Sequence, residues 1–148
     1  MTKQTQYGSY VPFKIKRTFL FVFTKTDGFW GRWLKGYTHC ILLEYLNDTT
    51  LIQFEPLLHG CSIGLIENFT KEIIEDHKDF KFVEVSVTPT QKNRLIGIKR
   101  CTCATFVQYI AGITLGCITA QGLYNKLTCS DAIWLRKKGI LGVKIWDV

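Results

Sequence analysis

Residues 38–55 read THCILLEYLNDTTLIQFE, and the reading of this stretch decides the fold. Residues 38–46 are apolar and β-branched enough for a strand. Asn47-Asp48-Thr49 is a turn signal, because short polar side chains cap their own backbone. Residues 50–55 form a second strand, expected to end at Pro56. The two strands make a hairpin. Working outward, residues 18–24 (TFLFVFT) are an aromatic strand upstream. Residues 60–66 form a short strand downstream, and residues 81–87 (KFVEVSV) alternate as another, closed by Pro89. Residues 69–78 are a short polar helix. In residues 102–111, Cys103, Phe106, Val107, Ile110 and Ala111 fall on one helical face, with Gly112 as the stop. Residues 119–127 form a helix capped by Thr119. Residues 130–138 form a third helix, and residues 140–146 a terminal strand. The expected fold class is α+β: a small antiparallel sheet packed on a cysteine-bearing helix. Residues 1–17 are an N-terminal extension and residues 18–148 a single domain.

Composition bounds what such a domain can be. The chain has 148 residues, 47% hydrophobic and 21% charged, long enough for one domain with a real core and too short for two comfortable domains. No apolar run reaches the roughly 18 residues of a membrane span. Lys3 is the one basic residue in the first twelve, and no small-residue cleavage site follows the aromatic run, so no signal peptide is expected. The expected location is the cytoplasm or a viral particle. The net charge of +7 comes from small clusters: Lys14, Lys16 and Arg17; Lys92, Arg94, Lys99 and Arg100; Arg136, Lys137 and Lys138. No nucleic-acid-binding signature accompanies them, so they read as a solvated basic face and no nucleic-acid partner is expected.

Six cysteines, Cys40, Cys61, Cys101, Cys103, Cys117 and Cys129, are expected to be reduced thiols in the absence of an export signal. Their spacing lacks paired Cys-x-x-Cys arms, so no metal or other cofactor is expected. His59, beside a glycine, and His77, in a charged helix, are read as solvent-facing. Cys103 differs from the other cysteines by standing at a helix start. There, unpaired backbone N–H groups and the positive end of the helix favour the thiolate. It also shares the apolar face, so it points at the sheet that carries His39. A thiolate beside an imidazole is the chemistry of covalent acyl transfer. A third group should orient the imidazole, and Gln53 and Glu55 are the candidates. A three-residue turn Leu46-Asn47-Asp48 would set Glu55 opposite His39 with Gln53 diagonal. A two-residue Asn47-Asp48 turn would set both on the wrong face. Both turns are open at the level of sequence.

The segment Cys101-Thr102-Cys103-Ala104-Thr105-Phe106-Val107-Gln108-Tyr109-Ile110-Ala111-Gly112-Ile113, followed by Thr119-Ala120-Gln121-Gly122-Leu123-Tyr124, resembles the cysteine helix of permuted papain-like proteins. These are similar to NlpC/P60 cysteine peptidases with the order of elements rotated: histidine strand first, cysteine helix last. The order His39, Gln53 or Glu55, Cys103 fits that form, and the resemblance spans roughly Thr18 to Leu127. It extends to small proteins of bacteria and their viruses. It implies Cys103 as nucleophile, His39 as base, and Glu55 or Gln53 as the orienting group. The implied function is a cysteine-dependent hydrolase or acyl transferase, a thiol protease or amidase, acting on an amide, thioester or ester. The expected partner is a peptide or other acyl substrate. The aromatic loop of residues 28–37, with Phe29, Trp30, Trp33 and Tyr37, would wall the cleft or pack on the core. The competing class is a non-enzymatic scaffold, part of a virion or larger assembly that retains a papain-like fold.

Overall fold

The computed structural model describes residues 16–25, 36–57, 60–88 and 102–146. Its strands are β1 (Arg17–Thr24), β2 (His39–Tyr45), β3 (Leu51–Leu57), β4 (Gly60–Ile66), β5 (Lys81–Val87) and β6 (Ile140–Trp146). Its helices are α1 (Lys71–Asp76), α2 (Cys103–Ala111), α3 (Ala120–Leu127) and α4 (Ala132–Lys137). The strands form one sheet in the order β4-β3-β2-β1-β5-β6, with every adjacent pair antiparallel. The chain is therefore a small α+β domain.

Period-two alternation along β1 assigns its two faces to two cores. Phe19, Phe21 and Phe23 join Cys40, Leu42, Val83 and Val85 beneath α2, α3 and α4. Leu20 and Val22 join Leu43, Leu51, Phe69, Ile74 and Phe82 on the opposite face, under α1. Because both faces are covered, β1 reads as a continuous apolar run. Helix α2 docks on β2 and β3, with Ala104, Val107 and Ala111 fully buried and Cys103, Phe106 and Ile110 flanking them.

The buried stripe of α2 also contains Gln108, 5% exposed. Its amide donates to the Ala104 and Cys117 carbonyls at 2.8 and 2.7 Å, and its carbonyl accepts from the Leu115 N–H at 3.0 Å. One side chain thus satisfies backbone groups of the connection between α2 and α3, in which Ile113, Leu115 and Cys117 are buried. Gly112 ends α2 at φ 71°, the left-handed stop expected of it.

Two local readings need correction. β3 does not end at Pro56: it runs to Leu57, and Pro56 pairs with Cys61 of β4. The ladder between β2 and β3 extends only to Leu42 and Phe54, so at Pro56 the strand is locally an edge and the missing N–H costs no ladder bond. The turn is three residues long but shifted by one, Asn47-Asp48-Thr49. The Leu46 N–H donates to the Thr50 carbonyl, and Asn47 Oδ1 accepts from the Thr49 and Thr50 N–H groups at 2.9 and 2.8 Å. The odd count keeps Gln53 and Glu55 on the face of His39. The shift moves Glu55 from opposite His39 to diagonal, because Tyr45 pairs with Leu51.

The N-terminal extension as far as residue 15, Phe29, Trp30, Trp33, His59, Pro89, the cluster at residues 92–100, and Cys101 lie outside the described residues. Among the described residues no helix is long and apolar enough to cross a membrane.

Candidate active site

Helix α2 starts at Cys103 because Thr102 caps it. The Thr102 hydroxyl accepts from the Thr105 N–H, and the Thr105 hydroxyl accepts from the Thr102 N–H at 2.8 Å. This capping box occupies two of the four first-turn amides. The amides of Cys103 and Ala104, which have no intrahelical acceptor, remain at the positive end of a nine-residue helix. The Cys103 sulfur sits there, half-buried, at the head of β2.

The strand brings two side chains to that sulfur. The Cys40 thiol donates a hydrogen bond to it, and the His39 ring provides a second hydrogen bond and a positive charge. Together they outweigh burial and hold Cys103 at about 4, against 9.0 for an ordinary thiol. These neighbours favour the thiolate form of Cys103. Its sulfur also lies 4.0 Å from the Thr38 carbonyl oxygen. A thiolate has no proton to give, so this is a packing contact. The effects on the partners are reciprocal. His39 is raised above 6.5, first by its hydrogen bond to Cys103, against the opposing effect of burial, with smaller contributions from the charges of Cys103 and Glu55. Cys40, with no solvent exposure, is held far above the usual thiol range by donating to Cys103 and by burial.

Glu55 and Gln53 form a relay on the same face. Glu55 Oε1 stands 3.7 Å from His39 Nε2, an ion-pair distance longer than a hydrogen bond. Gln53 does not reach the imidazole; its Nε2 donates to Glu55 Oε2 at 3.0 Å and steadies the carboxylate. His39 and Glu55 lie beyond the end of the β2–β3 ladder and are partly open to solvent, with side-chain exposures of 22% and 30%.

A second anchor fixes the chain entering β2. The Tyr37 N–H donates to Gln121 Oε1 of α3 at 2.8 Å, and Gln121 in turn donates to Asn125 Oδ1. Gly36, at φ +87°, lies so close to Gln121 Oε1 that a Cβ would overlap it. The Tyr37 ring packs on Phe23 and Tyr124 at 5.8 and 4.9 Å, so this end of the aromatic loop belongs to the core. His39 is thus positioned from both sides, by the ladder with β1 and by α3.

Sequence reasoning brought Cys103, His39, Glu55 and Gln53 forward and missed Cys40 and Gln121. Cys40 carried no signal beyond standing next to His39 in the sequence. Gln121 had no signal, since it lies 84 residues from Tyr37. Of the other expectations, His77 is exposed, with Nδ1 2.7 Å from the Ile73 carbonyl. Arg17 is not a free cation but makes a two-pronged pair with Glu44, both contacts 2.7 Å. Cys117 is buried beside the Leu115 carbonyl. Among the described residues no group of three His, Cys, Asp or Glu side chains is placed to hold a metal. An apolar hollow of about 170 Å³ lies on the sheet face opposite α2, the face that also carries Gln53 and Glu55, between Val22, Ile41 and Phe82 and the Ile73 side of α1; Gln53 lines both the hollow and the site.

Compared with family models, curated proteins and solved structures, the chain matches none.

Proposed function

We propose that the protein is a cysteine-dependent hydrolase or acyl transferase built on a permuted papain-like arrangement, with Cys103 as nucleophile and His39 as its acid–base partner. One observation carries the reading: a histidine on a sheet strand meets a cysteine at the capped head of a helix, in surroundings that favour a thiolate–imidazolium pair.

The steps follow from these groups. The Cys103 thiolate attacks the carbonyl carbon of an amide, thioester or ester. The developing oxyanion is met by the Cys103 backbone N–H at the helix end; where such a donor has been removed from other enzymes the loss is about 3–4 kcal/mol. The imidazolium form of His39, which its neighbours favour, gives its proton to the leaving group as the carbonyl re-forms, leaving an acyl-thioester on Cys103. Neutral His39 then takes a proton from water, or from an acceptor nucleophile, whose attack releases the acyl group and restores the thiolate. Glu55 favours the imidazolium, and Gln53 holds Glu55 in place.

The test is direct capture of the acyl-enzyme. Brief exposure to an activated short-chain thioester, followed by intact-mass and peptide mapping, should show one acyl group on Cys103. The adduct should be absent in Cys103→Ala, and in His39→Ala it should form but turn over slowly. Random acylation of surface lysines and thiols, unaffected by Cys103→Ala, would reject the assignment.

A scaffold or virion-assembly role is the second reading. It draws on the uncharged strand β4, which lies at the sheet edge with Ile63 and Leu65 in water.

A further inference from the structure

The two edges of the sheet are built differently. β6 carries Lys144, whose ammonium lies 4.1 Å from the centre of the Trp146 ring, and its pairing with β5 is interrupted by a bulge at Ser86/Val87. A charged, irregular edge discourages pairing with another chain. β4, GCSIGLI, has no charge, no proline and seven residues in unbroken register with β3. Its outer side presents backbone N–H and C=O groups with no strand beside them among the described residues. Ile63 and Leu65 are 69% and 57% exposed, on the sheet face that carries Phe54 and Leu42. Helix α2 packs on β2 and β3 and leaves Ile63 and Leu65 exposed.

The pattern of β4 is self-complementary about Ile63. In an antiparallel pairing of the strand with itself, Ile63 faces Ile63, Leu65 faces Cys61 and Ser62 faces Gly64. Gly60 faces Ile66. All the larger apolar side chains except Ile66 then meet on one face. On the other, each pair contains a glycine, so nothing clashes. A two-fold axis requires this match of a patch with itself.

We infer that β4 pairs antiparallel with β4 of a second copy of this chain, about a two-fold axis through Ile63, to give a continuous twelve-stranded sheet. One strand pair covers less than the roughly 1,600 Å² of a standard interface, so the dimer is of the weak, concentration-dependent class. The inference stands independently of the acyl-transfer reading, because no residue of the site takes part.

Sedimentation velocity up to hundreds of micromolar tests the association. The wild-type chain should move from monomer to dimer mass as concentration rises. Ile63→Lys, at an exposed position that a folded monomer tolerates, should remain monomeric throughout because it sets two ammonium groups against each other on the axis. Leu65→Cys tests the register. Under mild oxidation the introduced thiol should couple to Cys61 of the second copy, and Cys61→Ser in the same background should abolish that link. A wild-type monomer at all concentrations, a dimer indifferent to Ile63→Lys, or a cross-link joining the two introduced thiols would each overturn the inference.

Discussion

The Cys40→Ala exchange separates the electrostatics of the site most sharply. The Cys40 thiol is the largest influence holding Cys103 at about 4, ahead of His39. At pH 5 a thiol at about 4 is roughly 90% ionised, and one at 9.0 roughly 0.01%. That is about a 10⁴-fold advantage in thiolate. A weaker base is also a weaker nucleophile; with a Brønsted slope of 0.4–0.5 the advantage shrinks to about 30- to 90-fold. Cys103 should therefore react with a dipyridyl disulfide at pH 5 about 30- to 90-fold faster than an unstructured cysteine peptide. For the variant, the rate at one pH is a poor readout, because ionisation and nucleophilicity offset each other as the group becomes more basic. The informative quantity is the midpoint of the pH–rate profile, followed at Cys103 by mass spectrometry. It should lie at about 4 in the parent and climb towards 9.0 in Cys40→Ala. It should stay low in Cys40→Ser, where the hydroxyl still donates. Circular dichroism checks that the buried truncation leaves the fold intact. A parent midpoint near 9, or a Cys40→Ala midpoint identical to the parent's, would refute the account of how this thiolate is held.

Acyl transfer needs the thiolate and the imidazolium together, so activity should rise with a midpoint at about 4 and fall as His39 deprotonates above 6.5. Glu55→Gln removes a negative charge that favours the imidazolium, so the His39 titration, read by NMR, should move down and the alkaline limb with it; an unmoved or raised His39 would contradict the pairing. Gln108→Leu leaves the Cys117 carbonyl and the Leu115 amide without their partner inside the core. It should cost about 2–3 kcal/mol in urea unfolding, and a loss below about 0.5 would remove Gln108 from its role. Gly36→Ala forces a Cβ into Gln121 at a positive φ and should cost about 1–3 kcal/mol. Gln121→Ala in the same chain should recover part of that loss, and strict additivity would argue against the contact.

Period and punctuation in the sequence determined the elements. Alternating apolar residues, the Asn47 turn, Thr119 and Gly112 act within a few residues of themselves, and they locate the six strands and the helices to within about two residues. The position of Cys103 at a helix start was legible for the same reason, since a cap is a local event. The site depended on what local signals do not encode. The hairpin register turned on whether Leu46 or Asn47 opens the turn, a difference of one hydrogen-bond choice that moved Glu55 from opposite His39 to diagonal. The strand order, with β1 between β2 and β5, comes from burying an all-apolar strand on both faces, and no turn signal specifies it. Cys40 reads in the sequence as one more small core residue; it becomes a hydrogen-bond donor to Cys103 only because α2 docks with its first turn over the head of β2. Gln121 reaches Tyr37 across 84 residues for the same reason: the contact exists only once the helices have packed against the sheet.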